Sequence, residues 1–204
     1  MPTNIETLMQ GNRVMAIFRN MPAAQAVELA HKAWDLGIEL VEVPIQVPDA
    51  VPALEAVIKA GAERGMQVGS GTVTTDEQVR LSHRLGAAFT VAPGLDETVV
   101  KVSQELDLPH LPGVATASEV QLAVRLGCDW VKAFPATALG SSWFKAMKRG
   151  PFPDVSFVAT GGMDAYNAPE FLAAGASVVA VGSALADARQ IDLLAAVLGS
   201  GDDD

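Results

Sequence analysis

Lys132 stands in the middle of Asp129-Trp130-Val131-Lys132-Ala133-Phe134-Pro135, a run that otherwise reads as a buried strand. Side chains alternate along a strand, so Trp130, Lys132 and Phe134 share one face. If that face lines the inside of a barrel or cleft, lost hydration favours a neutral amine over an ammonium. A neutral buried amine is a nucleophile for carbonyls. A strand-end lysine that snorkels its charge to solvent is the commoner case, so the run alone favours that plainer reading. Two further residues bear on the choice. Glu42 is a carboxylate within a strand over 40–46, in which Val41, Val43 and Ile45 make one apolar face and Leu40, Glu42, Pro44 and Gln46 the other. Arg19 follows Met15 and Ile17 on one face of a strand over 14–18 and emerges at its C-terminal end.

What would position these three is legible in the punctuation of the chain. A short helix over 3–10 stops at Gly11 and leads into the first strand; Pro22 then opens a helix to about 36, closed by Gly37. The pattern repeats. Strands are expected at 40–46, 66–73, 88–93, 110–115, 129–135, 155–160 and 177–181. Helices are expected between them at 49–64, 75–85, 96–106, 118–126, 138–148 and 164–174, with a last one over 190–198. Thr75, with Asp76 and Glu77 behind it, suits a helix N-terminus, and Asp164 is expected to cap the helix that holds Pro169. Gly201-Asp202-Asp203-Asp204 reads as a frayed acidic tail.

Strand and helix units alternating eight times with short links predict an α/β fold, a (β/α)8 TIM barrel with a short N-terminal helix, as one domain over 1–204. An open doubly wound sheet is the alternative, and the absence of Gly-x-Gly-x-x-Gly after the first strand argues against its dinucleotide-binding version. Barrel sites lie at the C-terminal ends of the strands. Arg19, Glu42, Thr72, Pro93, Thr116, Lys132, Thr160, Gly161, Gly162, Gly182 and Ser183 gather near those ends, and that clustering tips the balance toward the buried lysine.

Composition narrows the partners. With 204 residues, half of them hydrophobic, the chain can bury a substantial core. A net charge of -10, with no Lys/Arg cluster, argues against nucleic acid and anionic membranes. The single cysteine, Cys128, excludes an intramolecular disulfide and reads as a small buried hydrophobe. No signal peptide or membrane-spanning run is evident, so a cytoplasmic protein is expected. His31, His83 and His110 are assigned no role.

The ordered motifs resemble a known family. Arg19 after Ala-Ile-Phe, Val-Glu-Val-Pro around Glu42, Gly69-Ser70-Gly71-Thr72-Val73, Ala92-Pro93-Gly94, Pro112-Gly113-Val114-Ala115-Thr116, Val131-Lys132-Ala133-Phe134-Pro135 and Thr160-Gly161-Gly162 are similar to the 2-keto-3-deoxy-6-phosphogluconate and 2-keto-3-deoxy-6-phosphogalactonate aldolases. The resemblance spans nearly the whole chain. It implies a class I aldolase without metal or other cofactor, usually a homotrimer, that splits a six-carbon 2-keto-3-deoxy-6-phosphoaldonate into pyruvate and glyceraldehyde 3-phosphate. It makes Lys132 the Schiff-base lysine, Glu42 the general acid/base, and Arg19 and Thr72 substrate contacts, with Gln46, Pro93, Phe134 and Thr160 as further substrate-binding candidates. Gln46 is a departure, because many gluconate-type members carry Arg at that place; the galactonate type more often has a neutral polar residue, and Gln46 with Arg19 leans toward that type.

The residue types suit the chemistry. A lysine attacks a C2 ketone, the protonated imine becomes an electron sink, and a carboxylate moves protons as the C3–C4 bond breaks. The plainer role for Glu42 is a buried carboxylate paired with Arg19, and for Thr72 simple strand propensity; Gly69 and Gly71 hint at close backbone approach to a ligand. Gly161, Gly162, Gly182 and Ser183 end two adjacent strands and are the expected phosphate-binding donors, against the commoner fate of loop glycines as turn residues. An isomerase or epimerase on the same barrel, or a silent phosphosugar-binding barrel, would share those loops without needing the lysine.

Overall fold

A computed structural model describes residues 4–182 and 187–199. Ser183, a predicted phosphate donor, and the tail over 201–204 lie outside the described residues.

The chain opens with helix α1 (Ile5–Met9), capped by the Asn4 side chain on the Glu6 N–H. Strands β1 (Val14–Ile17), β2 (Leu40–Pro44), β3 (Val68–Gly71) and β4 (Phe89–Val91) follow. They alternate with α2 (Ala23–Asp35), α3 (Val51–Arg64) and α4 (Asp76–Leu85), a 3-10 turn at Pro48–Ala50 preceding α3. Thr75 caps α4 as expected, accepting from the Gln78 N–H, and Gly65 and Gly86 close α3 and α4 in the left-handed region that glycine enters without cost. Helix α5 (Glu97–Glu105) is capped by Asp96, which accepts from the N–H groups of Thr98 and Val99.

The expected strand over 110–115 is two short ones, β5 (His110–Leu111) and β6 (Gly113–Val114). Pro112 has no N–H to donate, so the ladder breaks there. β5 pairs with β4 and β6 with β7 (Trp130–Ala133), so the interrupted fifth strand joins the two edges of the sheet. Beyond α6 (Ala117–Arg125) and β7 come α7 (Ala136–Leu139), α8 (Ser141–Arg149), β8 (Ser156–Thr160), α9 (Ala168–Ala173), β9 (Val178–Val181) and α10 (Ala188–Gly199). Every pairing is parallel, in the order β5-β4-β3-β2-β1-β9-β8-β7-β6. With Pro112 bridging the ends, this is the (β/α)8 barrel, its fifth strand counted twice.

Three helix expectations change. The single helix over 138–148 is α7 and α8, because Gly140 between them adopts φ 78° and ψ 159°, which no helix accommodates. Thr116, read as a site residue at a strand end, forms a capping box with Glu119 and starts α6. Asp164 does not cap α9; its carboxylate accepts from the Tyr166 and Asn167 N–H groups in the preceding turn, and the helix starts only after Asn167.

Strand alternation sorts the core into two layers. Met15, Ile17, Leu40, Phe89, Val91, Leu111, Val158, Val178 and Ala180 fill the barrel interior, closed at its N-terminal end by Leu8 and Met9 of α1. Val14, Ala16, Val41, Val43, Val131, Ala133, Phe157, Ala159, Val179 and Val181 point outward under the helices. Lys132 and Glu42 follow the inward parity of their strands, so the hydrophobic pattern that folds the barrel also drives both into it.

Candidate active site

Lys132 is 1% exposed and Glu42 is fully buried. β7 carries the lysine beside Gly113 of β6 and Val158 of β8. Its Nζ lies 5.3 Å from the centre of the Phe134 ring, two residues along the same face, so an aromatic face stands beside the amine in place of water. The snorkelling alternative is thereby removed, since a side chain this enclosed does not reach solvent.

Glu42 sits on β2 opposite Gly69 in the register, with Gly71 next along β3 on the same face. Both its carboxylate oxygens lack a hydrogen-bond partner among the described residues, so the plain pairing with Arg19 is not made. Burial pushes the Glu42 carboxyl above its ordinary value, while the charges of Lys132 and, less strongly, Arg19 pull it back. A carboxyl raised by burial and near two cations can hold a proton and release it, which is what a general acid/base needs.

A cleft of about 510 Å³ opens at the C-terminal ends of β1, β7, β8 and β9, walled by Arg19, Phe134, Thr160, Gly161, Gly162 and Gly182; Phe134, next along the inward face from Lys132 at the end of β7, connects it to the buried pair. The Thr160 hydroxyl, buried at the end of β8, has no partner among the described residues and is free for a ligand. The Gly161 carbonyl accepts from the Thr137 N–H and hydroxyl and the Gly162 carbonyl from the Asn167 amide, so the loop is held through its carbonyls. The Gly161 and Gly162 N–H groups donate to nothing among the described residues.

Other predicted residues lie apart from this wall. The Gln46 amide N–H donates to Oδ1 of the Asn20 side chain, bridging the loops after β1 and β2. Pro93 lines a separate cavity of about 190 Å³ with Val73 and Thr74, and its backbone occupies the space that a side chain on Gly113 would need. Thr72 ends β3 half-buried with φ 57°, an unfavourable conformation for a β-branched residue. Gly69 and Gly71, read as room for a ligand, instead make room for the protein: the Phe89 ring fills one space and the Glu42 carboxylate the other. The sequence reading missed Met21, Gln25, Leu29 and Met163 in the cleft wall. For Met21 and Met163 the signal was position, just after an inward-facing strand end; Gln25 and Leu29 lie on α2 and become visible only when that helix packs.

A parallel barrel with a buried lysine and a buried carboxyl beneath a cleft at its strand ends has the architecture of a carbonyl-processing enzyme. The chain belongs to the KDPG and KHG aldolase family, whose model matches residues 5–196. It is an aldolase, a lyase. The KHG/KDPG aldolase of Escherichia coli (strain K12) is 31% identical over 190 residues, 93% of this chain and 88% of that one. The 2-dehydro-3-deoxy-6-phosphogalactonate aldolase of the same organism is 29% identical over 177 residues, covering 87% and 86%. Among solved structures, the KDPG aldolase of Legionella pneumophila with pyruvate captured as a covalent carbinolamine intermediate matches with a TM-score of 0.82 at 28% identity, covering 98% of this chain and 97% of that one. The 2-keto-3-deoxy-6-phosphogluconate aldolase of Zymomonas mobilis with 3-phosphoglycerate matches with a TM-score of 0.82 at 30% identity, covering 95% and 94%.

Proposed function

We propose that this aldolase cleaves a 2-keto-3-deoxy-6-phosphoaldonate, of the gluconate or galactonate series, to pyruvate and glyceraldehyde 3-phosphate through a Schiff base on Lys132. The observation that carries the reading is the enclosure of Lys132 in one interior with a carboxyl that has no hydrogen-bond partner among the described residues. Lys132 Nζ adds to the C2 ketone, and the carbinolamine loses water to give a protonated imine. Glu42 takes the C4 hydroxyl proton as the C3–C4 bond breaks, and the bonding electrons move into the imine to leave an enamine. Glyceraldehyde 3-phosphate departs. Protonation of the enamine at C3 and hydrolysis return pyruvate and the free lysine.

Arg19 and Thr160 are assigned to the polar groups of the keto acid, with Phe134 as the apolar wall over the imine. Thr72, Gln46 and Pro93 shape the rim beside them. The free Gly161 and Gly162 N–H groups, together with Gly182 and Ser183, are assigned the phosphate; neutral donors suit a chain of net charge -10 with no lysine or arginine besides Arg19 among the described residues of the cleft wall. The capture of pyruvate in the Legionella relative and of 3-phosphoglycerate in the Zymomonas relative supports both halves of this assignment. From family resemblance the enzyme works as a cytoplasmic homotrimer of single-domain barrels, which a mass measurement in solution checks directly.

Borohydride reduction in the presence of pyruvate, read by intact mass and peptide mapping, tests the core of the proposal. A reduced three-carbon adduct on Lys132, lost with cleavage in Lys132→Met, is expected. An adduct on Lys101, Lys145 or Lys148, or none, would overturn it and return the barrel to isomerase or binding chemistry.

A further inference from the structure

The opposite, N-terminal end of the barrel holds a cavity of about 270 Å³, bounded by Asn4 before α1, Ser103 and Gln104 of α5, Asp107 and His110 before and within β5, and Cys128 before β7. Two of its side chains are more than nine-tenths buried and carry polar atoms with no partner among the described residues. They are Ser103 Oγ, on a residue 1% exposed, and His110 Nε2, on a residue 8% exposed. Leaving a buried polar group unpaired costs about 1–3 kcal/mol, so folded proteins rarely leave two side by side in one cavity without a use for them.

We propose that this cavity binds a small uncharged polyhydroxylated molecule, a polyol or an unphosphorylated sugar. The chemistry of the wall selects that class. The His110 ring, bonded through Nδ1 to Thr90 Oγ1 at 2.7 Å, is pushed down to about 4 by burial and carries no charge at neutral pH. With Nδ1 engaged by the Thr90 hydroxyl, Nε2 is the one ring position left for a ligand, where a neutral imidazole either accepts or donates a single hydrogen bond. Gln104 donates one amide N–H to the Leu126 carbonyl at 2.7 Å, which leaves its second N–H and its oxygen. Asp107 adds a carboxylate at the exposed rim, and the Cys128 thiol, raised to about 11 by burial and by Asp129, stays protonated. No lysine or arginine lies among the described residues of the wall. A pocket with a wall of neutral polar groups, a carboxylate at its rim and no cation among its described residues disfavours phosphates and carboxylates and suits hydroxyls, which both donate and accept. Its volume, just below the roughly 300–1,000 Å³ of drug-sized sites, suits a ligand of a few carbons. This end therefore selects neutral ligands, whereas the cleft at the other end is assigned an anionic one.

The test uses the full chain, titrated with xylitol and D-glucose and, as the charged control, glucose 6-phosphate. Calorimetry is read beside the His110 side-chain nitrogen resonances and the alkylation rate of Cys128, the one cysteine in the sequence. Expected are saturable binding of a neutral probe, a shift at Nε2 and slower alkylation, with glucose 6-phosphate giving none of these. Ser103→Val should weaken binding at least tenfold, about 1.4 kcal/mol, and leave aldol cleavage and pyruvate trapping unchanged. The wild-type resonance reports on the cavity even if that variant fails to fold. An Nε2 signal unmoved by either neutral probe, as for a site holding water alone, would overturn the proposal; so would equal binding of the phosphate ester or full affinity in Ser103→Val.

Discussion

The Glu42 carboxylate occupies the volume that a β-carbon on Gly71 would take: a methyl built there falls under 3.0 Å from Oε1, Cδ and Cγ of the glutamate. The two residues belong to adjacent parallel strands and share the inward face. Gly71 is thus the seat of the Glu42 carboxylate, and its lack of a side chain is what lets Glu42 lie against β3, where its oxygens have no hydrogen-bond partner among the described residues.

Gly71→Ala should therefore displace the carboxylate while leaving the backbone in a conformation alanine accepts. A misplacement of about 1 Å costs on the order of 10²-fold in rate, and overpacking costs about 1–3 kcal/mol of stability. Turnover measured beside a urea midpoint separates the two effects. Unchanged kcat would show that Glu42 does not work from this position.

Glu42→Gln should lower turnover by roughly 10²- to 10⁴-fold and should also change how stability depends on pH. Because burial raises the folded-state value of Glu42, the fold binds this proton more tightly than the unfolded chain does. The associated stability is fully present below the ordinary carboxylate value and is lost as pH rises through the raised folded one. Thermal melts of the wild type should fall relative to the glutamine variant over that rise. A constant gap between the two melting curves from acid to neutral pH would contradict the assignment.

Thr72 holds φ 57°, a conformation that costs a non-glycine residue about 1–3 kcal/mol. Thr72→Gly should release that strain and stabilise the protein by about 1 kcal/mol after glycine's own entropy cost. A substrate role for the hydroxyl predicts that kcat/KM falls in the same variant. If stability rose and kinetics did not move, Thr72 would be a turn residue only.

The phosphate loop is best tested at Gly182. Side chains at Gly161 and Gly162 would press on Phe134 and Thr137 and would face positive φ as well, whereas among the described residues one at Gly182 meets only the Ile17 carbonyl, at 3.9 Å. Gly182→Asp should then act through charge, raising KM for the phosphorylated substrate at least tenfold, about 1.4 kcal/mol. Pyruvate trapping on Lys132 should survive, because pyruvate has no phosphate. Loss of both together would mean that the loop supports the fold and not the phosphate.

The barrel, the inward parity of Lys132 and Glu42, and the crowding of special residues at strand ends were all legible in the linear pattern, because strand alternation and helix punctuation are local. The strand expected over 110–115 breaks at Pro112, because a proline cannot donate to a ladder. What tertiary structure decided is who occupies each empty place. Gly69 and Gly71 read as room for a ligand, yet Phe89 and Glu42 fill them, and no linear spacing reveals which side chain from a neighbouring strand will arrive. Gln46 read as a substrate contact, and only the packing of two loops shows that its amide N–H is held by Asn20 while its oxygen has no partner among the described residues. Gln25 and Leu29 entered the cleft for the same reason: a helix's facing is set by the sheet it covers, so its contribution to a site exists only once the barrel has closed.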